Sequence, residues 1–235
     1  MLTAASFPPA YRPIRPVLPA RLREFAALLT RGPGRSAPPT SPVPAAARGA
    51  VLVIPALLRA DGQTIGLRAE LAANGYAAFG WGLGADLGPT PKLMAGVEAR
   101  LIALSDIYGP VNLVGLSMGG LFSRWLAFRH PARVRQVITV CSPFRAPLDS
   151  FWLPLRPLLA VWPIPGLEAM AQELEQPLPV PGTYLYTKRD GIVAWESCID
   201  RRAPQDCFAI DGTHVTIAID PSVRAIVLER LARPL

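Results

Sequence analysis

A chain of 235 residues is long enough for one large core and short for two, and 51% hydrophobic against 17% charged residues excludes a mostly disordered protein. The formal net charge of +7 comes with scattered arginines and no nucleic-acid-binding motif, so nucleic acid is not the expected partner. No apolar run is long enough to span a bilayer, and the N-terminal MLTAASFPPAYRPIRP lacks the continuous apolar stretch of a secretory signal, so the expected location is the cytoplasm.

Residues 1–48 form a proline-rich arm, interrupted by one helical pattern over 18–32 that places Leu22, Phe25, Leu28 and Leu29 on one face. The stretch GPGRSAPPTSPVPAAA then reads as a linker. From Gly49 the pattern becomes regular. AVLVIP (50–55) is a continuous apolar run, expected of a strand buried on both faces. A helix over 64–75 ends at Asn74-Gly75, and YAAFGW (76–81) is a second buried strand. A helix over 91–109 begins with proline and ends with glycine. VNLVG is the third strand, LFSRWLAFRH (121–130) a helix, and VRQVITVCS (134–142) the fourth strand. Residues 146–181 break the rhythm with Trp152, Trp162 and many prolines, and carry a short helix near 166–176. TYLYT (183–187) and CFAID (207–211) resume the strands, and a helix over 221–232 closes the chain. Alternating strands and helices with short connections predict an α/β fold, a doubly wound, mostly parallel sheet with helices on both faces.

One stretch carries chemistry. In NLVGLSMGGL a buried strand runs into Gly115, Leu116, Ser117, Met118 and Gly119, and a helix follows. A sharp strand-to-helix turn leaves no room for side chains two residues either side of the serine, and it aims the hydroxyl out of the sheet at the carboxyl ends of the strands. The Met118 N–H then lies at a helix N-terminus, where negative charge is favoured. Ser117 is therefore the expected nucleophile. It needs a base. Of the two histidines, His130 ends a helix before Pro131, whereas His214 sits in a loop beyond the last strand, where a base can reach the serine. In such sites the acid lies between serine and histidine in the chain. Asp190, just past TYLYT, is the expected acid, with Asp200, Asp206 and Asp211 as rivals by order. A second oxyanion donor should come from the loop after the first strand of the regular region: Leu57 N–H, with Ala56 as the near alternative.

These motifs, with VLVIPALL, GWGLG, VITVCSPF, LYTKRDGIVAW and GTHVTIAIDP, resemble the α/β-hydrolase family over 49–235, in particular its small bacterial lipase- and esterase-like members. The resemblance implies hydrolysis of a carboxylic ester or similar acyl bond, with Ser117 as nucleophile, Asp190 as acid and His214 as base. It makes 146–181 a small cap or lid insertion, with a segment that simply covers the sheet edge as the alternative, and 1–48 an arm in place of the first strands of a larger sheet. Two departures stand out. Ala56 follows Pro55 where the family usually carries glycine before the oxyanion residue, and the sheet is minimal. Trp81, at the mouth of the site in such a fold, and Trp152 and Trp195 are the expected substrate-binding side chains.

The expected partner is a small, apolar acyl ester, with peripheral contact to a lipid surface as a further expectation. Acyl transfer or thioester hydrolysis on the same triad, and a non-catalytic binding protein, are the alternative readings. No cofactor or metal is expected. GWGLGA fits a dinucleotide fingerprint but precedes loop instead of opening a helix. Cys141, Cys198 and Cys207 match no zinc spacing; Cys198 and Cys207 could close a short loop, though ordinary thiols are the favoured reading.

Overall fold

The computed structural model describes residues 48–150, 167–217 and 220–234. The helix expected over 18–32, the arm apart from Arg48, and Trp152 lie outside the described residues.

Six strands form one sheet in the order β2-β1-β3-β4-β5-β6: β1 Ala50–Ile54, β2 Ala77–Gly80, β3 Val111–Leu116, β4 Val134–Val140, β5 Gly182–Tyr186 and β6 Cys207–Ala209. Every pairing among the described residues is parallel, as the doubly wound reading requires. Around them run α1 Ile65–Ala73, α2 Pro91–Tyr108, α3 Met118–Arg129, α4 Pro147–Ser150, α5 Leu167–Leu174 and α6 Pro221–Ala232.

Burial on both faces explains the unbroken apolar runs. Successive side chains of β1 alternate between two cores. Leu52 and Ile54 join Val97 and Leu101 of α2 and Phe122 of α3. Val51 and Val53 join Leu67 and Leu71 of α1 and Val223 and Val227 of α6. The helix ends follow local chemistry. The Thr90 hydroxyl accepts from Leu93 N–H ahead of Pro91, and Gly109 closes α2 at φ 73°. The Asp220 carboxylate accepts from Ser222 N–H ahead of Pro221.

From β1 the chain steps outward to β2, then crosses back to place β3 on the other side of β1. The strand order reverses between β1 and β3, the place where an open α/β sheet leaves a crevice beyond its strand ends. Ile54 and Gly115 are register partners there. At the opposite end, Asn112 Nδ2 donates to Ala50 O at 3.0 Å and Gln136 Nε2 donates to Asn112 Oδ1 at 3.0 Å, a buried polar ladder that pins β1, β3 and β4 in register.

Two boundaries differ from the sequence expectation. The helix expected at 64–75 is preceded by a 3₁₀ turn, Asp61–Thr64, whose Asp61 carboxylate accepts from Trp81 N–H and Gly82 N–H, both at 3.0 Å. The helix expected at 121 begins at Met118. Glycine is a poor helix former, but a Cβ at Gly119 would overlap the Ile54 and Pro55 carbonyls, and one at Gly120 would overlap the Ser142 side chain. Close packing, not helix propensity, selects these residues.

The short α5 is tied to α3 by Arg124, which is fully buried. Its Nε and Nη2 donate to Leu174 O, its Nη2 also to Gln176 O at 2.7 Å, and its guanidinium lies 3.9 Å from the Phe144 ring centre.

Candidate active site

Ser117 stands between β3 and α3 with φ 50° and ψ −112°, a conformation sparsely populated for any residue with a side chain. Its N–H donates to Val140 O at 2.8 Å, which holds the turn against β4. A Cβ on Gly115 would run into the backbone of Gly119 and Gly120. The glycine spacing is therefore a steric requirement of this turn, and Gly120 belongs to it although the pentapeptide does not include it.

The structure brings Ser117, His214 and Asp190 together. His214 Nε2 lies 3.0 Å from Ser117 Oγ, and its Nδ1 lies 2.7 Å from Asp190 Oδ2. Asp190 is buried, and its second oxygen accepts from Ile192 N–H at 2.9 Å and Val193 N–H at 2.8 Å. With both carboxylate oxygens engaged, the geometry is that of Nδ1–H donating to Asp190 and Nε2 accepting from the serine hydroxyl. The His214 loop is anchored by Thr187 Oγ1, which donates to Gly212 O at 2.8 Å, and by Gly212 itself at φ 137°. The rivals are engaged elsewhere. His130 Nε2 sits 2.6 Å from Glu98. Asp200 accepts from Arg202 at 2.8 Å, Asp206 from Arg230, and Asp211 is exposed.

The loop after β1 contributes donors. Ala56 N–H is already spent on Gln63 Oε1 at 2.8 Å. Leu58 N–H donates to Asp86 O and Asp86 N–H to Arg59 O, both at 2.7 Å, which fixes the loop against residue 86. Leu57 N–H makes no hydrogen bond among the described residues. Met118 N–H is the first amide of α3 and has no helical acceptor behind it. Of the two amides weighed after β1, Leu57 is thus the available one. Gln63 carried no sequence signal, because its role is to occupy a backbone amide seven residues away.

A cavity of about 90 Å³ opens beside Ser117 and His214, walled mainly by apolar groups: Leu57, Leu116, Val140, Ile192, Val215 and Ile217. Arg59 and Gln63 form its polar side. Trp81 and Trp195 do not line it. Trp81 is fully buried, donates its indole N–H to Gly84 O at 3.0 Å and packs on Phe122, so it is a core residue. Trp195 stacks on Tyr186 at 5.2 Å, away from the cavity wall. These two substrate-binding expectations are corrected. The Trp81 and Gly82 amides of the GWGLG stretch are likewise committed to Asp61, which a phosphate there would have to displace.

Cys141 follows β4 at φ 48°, is buried, and lines the same cavity. Burial, reinforced by the Asp190 carboxylate, pushes its thiol pKa well above the usual value. Its sulfur and the ligand atoms of Asp190 and His214 lie within 4.8 Å of one another, and no other group of three or more such side chains that could hold a metal ion occurs among the described residues. Cys198 and Cys207 are free thiols.

The family model described as the alpha/beta hydrolase fold matches residues 107–163. Solved structures of the same fold align over most of the chain. One reported for LipS and LipT, two metagenome-derived lipolytic enzymes, has a TM-score of 0.62 at 18% identity and covers 86% of this chain and 97% of its own. The chain has the α/β-hydrolase fold. Carboxylesterase CesB of Bacillus subtilis shares it at a TM-score of 0.60 and 13% identity, over 93% of this chain and all of its own. A thioesterase domain from the curacin biosynthetic pathway does so at 0.55 and 16%, over 79% of this chain and 91% of its own. No curated protein matches by sequence. In this hydrolase fold, among the described residues, no helix is long and apolar enough to cross a membrane.

Proposed function

We propose that the chain is a serine hydrolase that cleaves a carboxylic ester with an apolar acyl group. The observation that carries this reading is the unbroken hydrogen-bond chain from Asp190 through His214 to Ser117, on a strained turn that sets the serine at the wall of the cavity. Ser117 Oγ attacks the acyl carbonyl while His214 Nε2 takes its proton. The oxyanion forms near Met118 N–H and Leu57 N–H, where no competing acceptor stands. Asp190 stabilises the imidazolium, which then protonates the leaving alcohol. Water, deprotonated by His214, releases the acid and restores Ser117. The apolar walls of the cavity support an aliphatic acyl group.

Intact-mass labelling with a fluorophosphonate tests the assignment. One adduct on the wild-type chain is expected, and none on Ser117→Ala or His214→Ala. Absence of an adduct on folded wild-type protein would move a binding-protein reading ahead. A thioester belongs in the substrate panel because a thioesterase domain is among the proteins of similar fold. Faster turnover of the thioester than of the matched oxygen ester would reassign the leaving group and leave the triad roles unchanged.

A further inference from the structure

The cavity is lined by one potential metal ligand that the proposed mechanism does not use. Cys141 lies at the end of β4, next to the strand that leads into Asp190, and its sulfur is grouped with the acid and the base. The three ligand atoms come from a thiol, a carboxylate and an imidazole, a donor set suited to zinc. They lie within 4.8 Å of one another. Bond lengths to tetrahedral zinc put such atoms about 3.3 to 3.6 Å apart, so the 2.7 Å contact between Asp190 and His214 needs to open by less than about 1 Å, and the widest pair, at no more than 4.8 Å, to close by no more than about 1.5 Å. All three side chains are largely buried, so a charge placed there must be matched. A thiolate and a carboxylate match a divalent cation, with the imidazole neutral. The cavity beside Ser117 gives a way in and room for a fourth ligand.

We propose that Cys141, Asp190 and His214 form an inhibitory site for a thiophilic divalent cation of the zinc class. The inhibition, though not the binding, rests on the triad reading given above. The ion sits between Asp190 and His214 Nδ1. The Cys141 sulfur loses its proton to solvent. The Nδ1 proton is displaced and the ring takes one at Nε2, so a single proton is released per ion and the imidazole stays neutral. Nε2 then carries a hydrogen and faces Ser117 as a donor. It cannot take the serine proton, and the nucleophile is idle until the ion leaves.

Cobalt(II) titration of the full, untagged chain tests binding without reference to activity, through the thiolate-to-metal absorption in the near ultraviolet. One equivalent should produce the band in wild type and in Ser117→Ala, and zinc should abolish it. Cys141→Ser should lack the band. His214→Gln should weaken binding by more than about tenfold, the low end of the loss from even an outer-shell partner. Saturating zinc should slow fluorophosphonate labelling of wild type by more than about tenfold, reversed by a chelator. A wild type without the band overturns the site, as does a band that persists in Cys141→Ser. Equal zinc sensitivity of labelling in Cys141→Ser and wild type overturns the inhibitory role. If metal-free wild type does not label at all, the hydrolase reading fails, and with it the inhibitory role, while the cobalt band still decides the site. Thermal melts of both variants separate lost ligation from lost folding.

Discussion

At Asp190 the two carboxylate oxygens have separate tasks. One is held by Ile192 and Val193 amides, and the other faces His214 Nδ1. Asp190→Asn keeps the first task, because an amide oxygen accepts from the same two N–H groups. It reverses the second. The Asn NH₂ then confronts Nδ1, which has to give up its hydrogen and accept, so the ring carries its proton on Nε2 and cannot accept from Ser117. We expect kcat to fall by about 10⁴-fold with the thermal midpoint little changed, since the loss is one of tautomer and not of packing. Ester hydrolysis and a melt on the same sample check this; a loss under tenfold would mean that another acid supports His214. Gln63 is a subtler case. Its carbonyl occupies Ala56 N–H and so shapes the loop that presents Leu57 N–H. Gln63→Ala should lower kcat and kcat/KM together, by up to about 100-fold, the cost of misplacing a group that acts only in the transition state. A rise in KM with constant kcat would place Gln63 in substrate binding instead.

At the scale of elements, α3 shows what close packing demands. Gly120 faces Ser142 so tightly that any Cβ must displace it. Alanine is the better helix former, yet we expect Gly120→Ala to destabilise the protein by about 1–3 kcal/mol, the usual cost of overpacking. Urea unfolding decides the sign, and a stabilised variant would mean that the Ser142 segment yields easily. The same position marks a limit of sequence reading. The strands were legible because two-sided burial leaves continuous apolar runs, and the helices because proline and glycine bracket them. The start of α3 was not, since two adjacent glycines argue against a helix unless the carbonyls of Ile54 and Pro55 are known to press on them. Ser117 and His214 were legible from a steric motif and from the scarcity of histidine. Trp81 was misread because its place at a strand end says nothing about which face it takes, and the partners that satisfy it, Gly84 O and Phe122, are set by the fold. Cys141 carried no signal, because its nearness to His214 spans two strands and a loop.

For the whole molecule, Asp86 makes stability depend on pH. Its carboxyl group is fully buried, and burial raises its pKa from 3.8 to about 7 against the opposing hydrogen bond from Gly88 N–H. Its other oxygen has no partner among the described residues. The folded state therefore holds this proton more tightly than the unfolded chain does. Stability from the group is complete below about pH 4 and is lost as pH rises through about 7, a change on the order of 4 kcal/mol. The residue also couples to the site, for its backbone bonds to Leu58 and Arg59 brace the loop that carries Leu57. In Asp86→Asn the amide oxygen still accepts from Gly88, and the titration disappears. The variant has its own fixed cost, an unpartnered buried NH₂, so the informative quantity is the difference between the two proteins as pH changes. Urea unfolding at intervals from about pH 4.5 to 8 should show the variant gaining on wild type up to about pH 7, with little further gain above it. All other titrating groups are common to both proteins and cancel in the difference. Parallel curves would mean that Asp86 is ionised in the folded state throughout, stabilised by a partner beyond the Gly88 amide.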